Sequence, residues 1–187
     1  MSYVELAVTS NFTFLTGASH PHELIERAAQ LGYRAIGLAD RNTVAGMVRA
    51  HVAAKAAGLR LVPGCRLTPE DGPEVIAYPA DRAAWGRLCR VLTTARRRSP
   101  KGACRIVMAD LADLGTGFAG LVSLPENQDE DDPSLTININ LLKSYFDISL
   151  HIMATPRRDG NDAVRLARAD RLAAATGLAL LVTGDVL

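Results

Sequence analysis

Charged residues stand where apolar runs stop. Asp40 and then Arg41 follow the run Ala35-Ile36-Gly37-Leu38-Ala39, Arg66 lies near the end of Leu59–Leu67, and Asp185 comes just after Leu178–Val182. If those runs are strands, their ends are where α/β enzymes keep acid–base groups and metal ligands, which makes Asp40 and Asp185 the candidates. Two guanidiniums beside two carboxylates can instead neutralise one another through charge-assisted pairs. Hydrolytic chemistry would need a metal or a further base, which the sequence does not evidently supply.

The other candidates are weaker. His20 and His22 are spaced two apart at the start of a helix, where they share no face as an i, i+4 pair would, and they read as surface capping residues. His51 falls mid-helix among apolar residues and is expected to be packed or half-exposed, while His151 is isolated on a strand. Cys65, Cys89 and Cys104 show no C-x-x-C spacing, which argues against a disulfide scaffold or a cysteine-rich zinc site and for a reducing compartment. Gly115-Thr116-Gly117-Phe118-Ala119-Gly120 is a literal GxGxxG, but it follows a helical turn and leads into a strand. Dinucleotide binding needs the reverse order, so a plain loop is expected. Seven basic residues fall between Arg87 and Arg105. Arg96, Arg97, Arg98 and Lys101 could touch phosphates or an acidic partner. A solvated helix end whose arginines complement the dipole is the favoured reading, and no aromatic residue interleaves to support base stacking.

The elements that must position these residues alternate. Strands are expected at Tyr3–Val8, Ala35–Ala39, Leu59–Leu67, Glu74–Tyr78, Gly120–Leu124, Ile148–Ile152 and Leu178–Val182. Helices are expected from Pro21 to Leu31, from an Asn42 or Thr43 cap to Lys55, from Asp81 into Arg96-Arg97-Arg98, and over Leu135–Tyr145 and Asp162–Thr176. A short strand and a helical turn at Ala109–Leu114 precede the fifth strand, and residues 125–134 form an acidic, proline-flanked loop expected to be mobile. This order belongs to an α/β protein with a mostly parallel sheet, either a barrel or a doubly wound sheet.

Composition narrows the class. The chain has 187 residues, 48% of them hydrophobic and 22% charged, which fits one globular domain over 1–187 and excludes a disordered or fibrous chain. A balance of 21 basic and 20 acidic residues gives no overall attraction for nucleic acid. No secretory leader or membrane span is seen, so a cytoplasmic, soluble protein is expected.

The segments Glu5–Ser19, Leu38–Gly46, Gly86–Thr93, Lys101–Arg105 and Val182–Leu187 together resemble, in order, the opening of error-prone bacterial DNA polymerase III alpha subunits. Those polymerases begin with a polymerase and histidinol phosphatase (PHP) domain. The resemblance implies a distorted (β/α)7 TIM-like barrel, which in active members holds divalent metals and hydrolyses phosphoesters. The metal-binding pattern of active members is largely missing. Ala7 and Thr9 stand at its H-x-H, Thr16 at its next aspartate, and Arg41 at the histidine after Asp40, which is retained. Arg66 replaces a glutamate, and the closing D-x-H reads Asp185-Val186-Leu187. Glu74 and Asn127 are aligned with a histidine and a cysteine or histidine.

The resemblance therefore implies a vestigial site without catalytic residues, in which Arg41 and Arg66 pair with Asp40 and Asp185. No cofactor is expected, and Asp40 and Asp185 are weak ligands for zinc, manganese or magnesium only if the site is active. The palm, thumb and fingers that carry polymerase chemistry are absent from these residues. A structural or docking role is expected, with the remainder of a DNA polymerase or with replication and repair proteins as partners. DNA is then met indirectly and membranes not at all. A residual metal-dependent phosphoesterase or exonuclease and a nucleic-acid or protein binding module are the alternatives.

Overall fold

The computed structural model describes residues 3–124 and 133–187. Asn127 and most of the acidic loop expected at 125–134 lie outside the described residues. The chain is an α/β protein that divides into two compact units, Met1–Arg66 with Thr183–Leu187, and Leu67–Val182.

In the first unit three parallel strands lie in the order β1 (Glu5–Val8), β2 (Ala35–Leu38), β3 (Arg60–Pro63). β2 is central and buried at all four positions, which is why it reads as an unbroken apolar run. Its Gly37 is required by sterics, since a Cβ there would collide with the backbone of Leu6 on β1. The helix α1 (Pro21–Gln30) turns Ile25 and Ala28 inward and starts as expected, with Pro21 in its first turn. The His20 N–H donates to Glu23 Oε2 at 2.7 Å.

Three expectations for this unit need correction. The second helix, α2 (Met47–Ala57), begins well after Asn42 and Thr43. Asn42 adopts a left-handed φ of 51° and donates its N–H to Arg66 O at 2.8 Å, so the segment is held as a turn against the next strand. The single strand expected over Leu59–Leu67 is two, β3 and β4 (Cys65–Leu67), because Gly64 breaks the run. Two histidine details also change: His20 and His22 are surface residues at the helix start, as expected, but their rings stack at 5.5 Å because extended backbone at His20 frees it from helical spacing, and His51 is exposed.

In the second unit β5 (Glu74–Pro79) runs antiparallel to β6 (Phe118–Ser123), and β7 (Ser149–Ala154) and β8 (Ala179–Val182) continue parallel to β6. α3 (Arg82–Arg97) is capped by Asp81, which accepts the Ala84 N–H at 2.7 Å, and it buries Ala84, Leu88, Val91, Leu92 and Ala95. A 3₁₀ helix (Met108–Leu114), α4 (Pro133–Tyr145) and α5 (Asp162–Thr176) follow. The short strand expected before the 3₁₀ helix is reduced to one bridge between Pro69 and Ile106. The GxGxxG segment is a loop running into β6, and Asp147 already accepts the Gly117 and Phe118 N–H groups at 2.6 and 3.1 Å. Those two amides are committed within the protein.

Candidate functional site at the strand ends of the first unit

Asp40, just beyond β2, is 1% exposed. Its carboxylate accepts the Ser10 N–H at 2.8 Å, the Ser10 hydroxyl at 2.8 Å and the Thr13 hydroxyl at 2.9 Å. Burial raises its pKa, against the pull of these hydrogen bonds and of the Arg66 charge. Thr13 Oγ1 also accepts the Arg41 N–H at 3.0 Å, so the loop after β1 is stitched to the end of β2.

Arg66 is also buried, and its place is fixed by the backbone. Its N–H donates to Asp40 O at 3.1 Å and its carbonyl accepts the Asn42 N–H. The guanidinium pairs with the Asp185 carboxylate, the side chains being only 7% and 11% exposed. Asp185 reaches this position on a left-handed residue, φ 48°, in a tail that runs beside β1. The Val186 N–H donates to Ala7 O at 2.9 Å and the Thr9 N–H to Val186 O at 2.8 Å, a parallel bridge at Val8 and Val186.

The tail is held by a carboxylate that sequence reading missed. Glu5 is 3% exposed and accepts the Ala7 N–H at 2.9 Å, the Gly184 N–H at 2.7 Å, the Tyr3 hydroxyl at 2.6 Å and the Thr183 hydroxyl. Burial together with the Glu5 hydrogen bond pushes the Tyr3 phenol up to about 12. Glu5, Ala7 and Thr9 are all buried, and an acid opening an otherwise apolar strand was the available signal. Ser10 and Thr13 left only a run of short hydroxyl residues after the strand as their signal.

Of the expected residues, the structure gathers Ala7, Thr9, Asp40, Arg66 and Asp185. Ala7 and Thr9 are buried, and Thr9 Oγ1 has no partner among the described residues. Arg41, Thr16 and Leu187 are exposed. No group of three His, Cys, Asp or Glu side chains assembles among the described residues. Glu74 is half-buried at the start of β5 in the second unit.

The basic segment is also partly committed. Arg98 pairs with Asp110 and donates to Arg105 O, and Arg105 pairs with Glu70 at 3.0 Å. Arg96, Arg97 and Lys101 are exposed.

Comparison with known proteins gives these residues a context. A family model described as the PHP domain matches residues 5–176. An error-prone DNA polymerase of Rhodopirellula baltica is 38% identical over all of this chain, and one of Brucella abortus is 44% identical over 99% of it. The chain spans only 17% and 18% of the length of those two relatives. Among solved structures, an amidohydrolase of Chromobacterium violaceum, solved with sulfate and no metal, matches 98% of this chain and 87% of its own at a TM-score of 0.73 and 15% identity. A candidate metal-dependent phosphoesterase of Bifidobacterium adolescentis matches 99% of this chain and 87% of its own at 0.65 and 16% identity. Both share the fold. No helix among the described residues is long and apolar enough to cross a membrane.

Proposed function

Because the chain belongs to the PHP domain family, we propose that it is a degenerate, metal-free PHP domain of an error-prone DNA polymerase, a single domain over 1–187 with a structural or docking role. The observation that carries this reading is the pairing of Arg66 with Asp185 beside an Asp40 whose carboxylate already accepts three hydrogen bonds. A divalent cation needs several anionic or imidazole donors with free lone pairs. Here Ala7 offers none, Thr9 offers a neutral hydroxyl, and the Arg66 guanidinium supplies the positive charge within the protein. These residues do not fit a metal cluster. The fold of the family supports the expectation of a distorted (β/α)7 barrel, which an experimental structure would test. The parent activity is DNA synthesis in damage-tolerant repair, in the cytoplasm, with the remainder of the polymerase as partner.

The test is metal content. After exhaustive exchange against Zn²⁺ or Mn²⁺, fewer than one ion per chain is expected, and two or more would overturn the proposal. A second reading, residual phosphoesterase or exonuclease activity, is favoured only by the phosphoesterase among the structural neighbours. Turnover of p-nitrophenyl phosphate or 3′-labelled DNA under Mn²⁺, lost on Asp40→Ala, would establish that reading instead.

A further inference from the structure

We propose that the outward face of α3 is a contact surface for the phosphate backbone of duplex DNA. A net charge of +1 conceals a strong segregation of charge. Between Arg82 and Ala109 lie eight of the 21 basic residues and none of the 20 acidic ones, so the remainder of the chain carries a surplus of acids. Seven of the eight are arginine, whose planar fork binds phosphate oxygens bidentately.

The structure sorts six of these eight residues into two groups. Arg87 turns onto the Leu114 and Thr116 carbonyls, Arg98 onto Asp110 and Arg105 onto Glu70. Arg82, Arg90 and Arg97 are exposed and stand opposite the buried stripe of Ala84, Leu88, Val91 and Ala95. At about 100° per residue the three fall within an arc of roughly 80°, and at about 1.5 Å per residue Arg90 and Arg97 lie about 12 and 22 Å from Arg82. They form a straight, rigid row of positive charge along one side of the helix.

Gly86 is a second, independent observation. It sits inside this row, in the middle of a helix, where glycine weakens the helix relative to alanine. Packing does not require it, because a Cβ built there meets nothing within 4 Å. A glycine that no neighbour inside the protein demands leaves room for something outside to approach the helix backbone. A row of arginines around such a gap fits a regular line of phosphates. Duplex DNA supplies about one charge per 1.7 Å of axis, whereas carboxylates on a flexible acidic peptide have no such fixed spacing. The aromatic residue of this helix, Trp85, is half-buried, which favours backbone contact over the base stacking of single strands. The inference rests on the proposed place in a DNA polymerase only in taking DNA as the nucleic acid.

Fluorescence anisotropy of the full chain with a labelled 20-base-pair duplex tests it, from 50 to 200 mM NaCl. Saturable binding is expected, with log K falling against log salt at a slope of about −3 for three phosphates. Arg90→Glu/Arg97→Glu should weaken binding at least tenfold at 50 mM and reduce the slope to about −1. Arg27→Glu/Arg34→Glu on the first unit, the same change in net charge, should leave the slope unaltered. Gly86→Gln should weaken binding several-fold while raising the melting temperature, a combination that misfolding cannot produce. Absence of saturable binding, equal losses in both charge-reversal variants, or tighter binding of polyglutamate at matched charge would overturn the proposal. None of these outcomes depends on metal content, so its failure and that of the proposed function are separable.

Discussion

Removing the Asp40 carboxylate strands three donors, the Ser10 N–H and the hydroxyls of Ser10 and Thr13. Asp40→Ala is therefore expected to cost about 3 kcal/mol in urea denaturation, toward the low end of about 1–3 kcal/mol per buried group left unsatisfied. Arg66→Met leaves Asp185 charged and nearly buried, with an expected cost of about 3–5 kcal/mol, most of it recovered when Asp185→Leu is added. A double-mutant cycle measures that recovery. Tyr3 carries a pH dependence of definite sign. Its raised pKa means that the folded state holds the phenolic proton more tightly than the unfolded chain does. The stabilisation is fully present below an unfolded pKa of about 10 and is lost as pH rises through about 12. Tyrosinate absorbance should show a late-titrating phenol that Tyr3→Phe removes. Asp40, Arg66 and Asp185 were legible in the sequence because charge at the end of an apolar run is unusual. Glu5 was not, because the Thr183 hydroxyl that explains its burial lies 178 residues away.

At the scale of elements, legibility followed the strength of local signals. α5 occupies the residues its periodicity indicates, Asp162–Thr176, with Gly177 in the left-handed conformation closing it. The start of α2 is concealed in the sequence because Asn42 is a competent helix cap by type, and only its bond to Arg66 reveals a turn. The division of residues 59–67 into two strands is hidden because apolar residues flank Gly64 on both sides and conceal the break. Two glycines in elements should respond in opposite directions to the same substitution. Gly37→Ala drives a methyl into the Leu6 backbone and is expected to destabilise by roughly 1–3 kcal/mol or prevent folding. Gly86→Ala meets open space and is expected to stabilise by about 1 kcal/mol. Thermal denaturation of the two variants distinguishes a glycine that packing requires from one that it does not.

At the scale of the whole molecule, a unit built from the first 66 residues also contains Thr183–Leu187. Ending the chain at Val182 removes two donors to Glu5, the partner of Arg66 and the bridge at Val186. Amide exchange should then accelerate along β1 and β2 while β6 and β7 keep their protection. The arrangement also imposes an order in time. On the ribosome β1, β2 and β3 precede by more than a hundred residues the segment that neutralises Arg66 and satisfies Glu5. At about 5–20 residues per second that interval is roughly 6–23 s. Until that segment is made, Arg66 lacks Asp185 and Glu5 lacks the donors of Thr183 and Gly184, so the first unit is expected to gain its full stability only after the second has been synthesised.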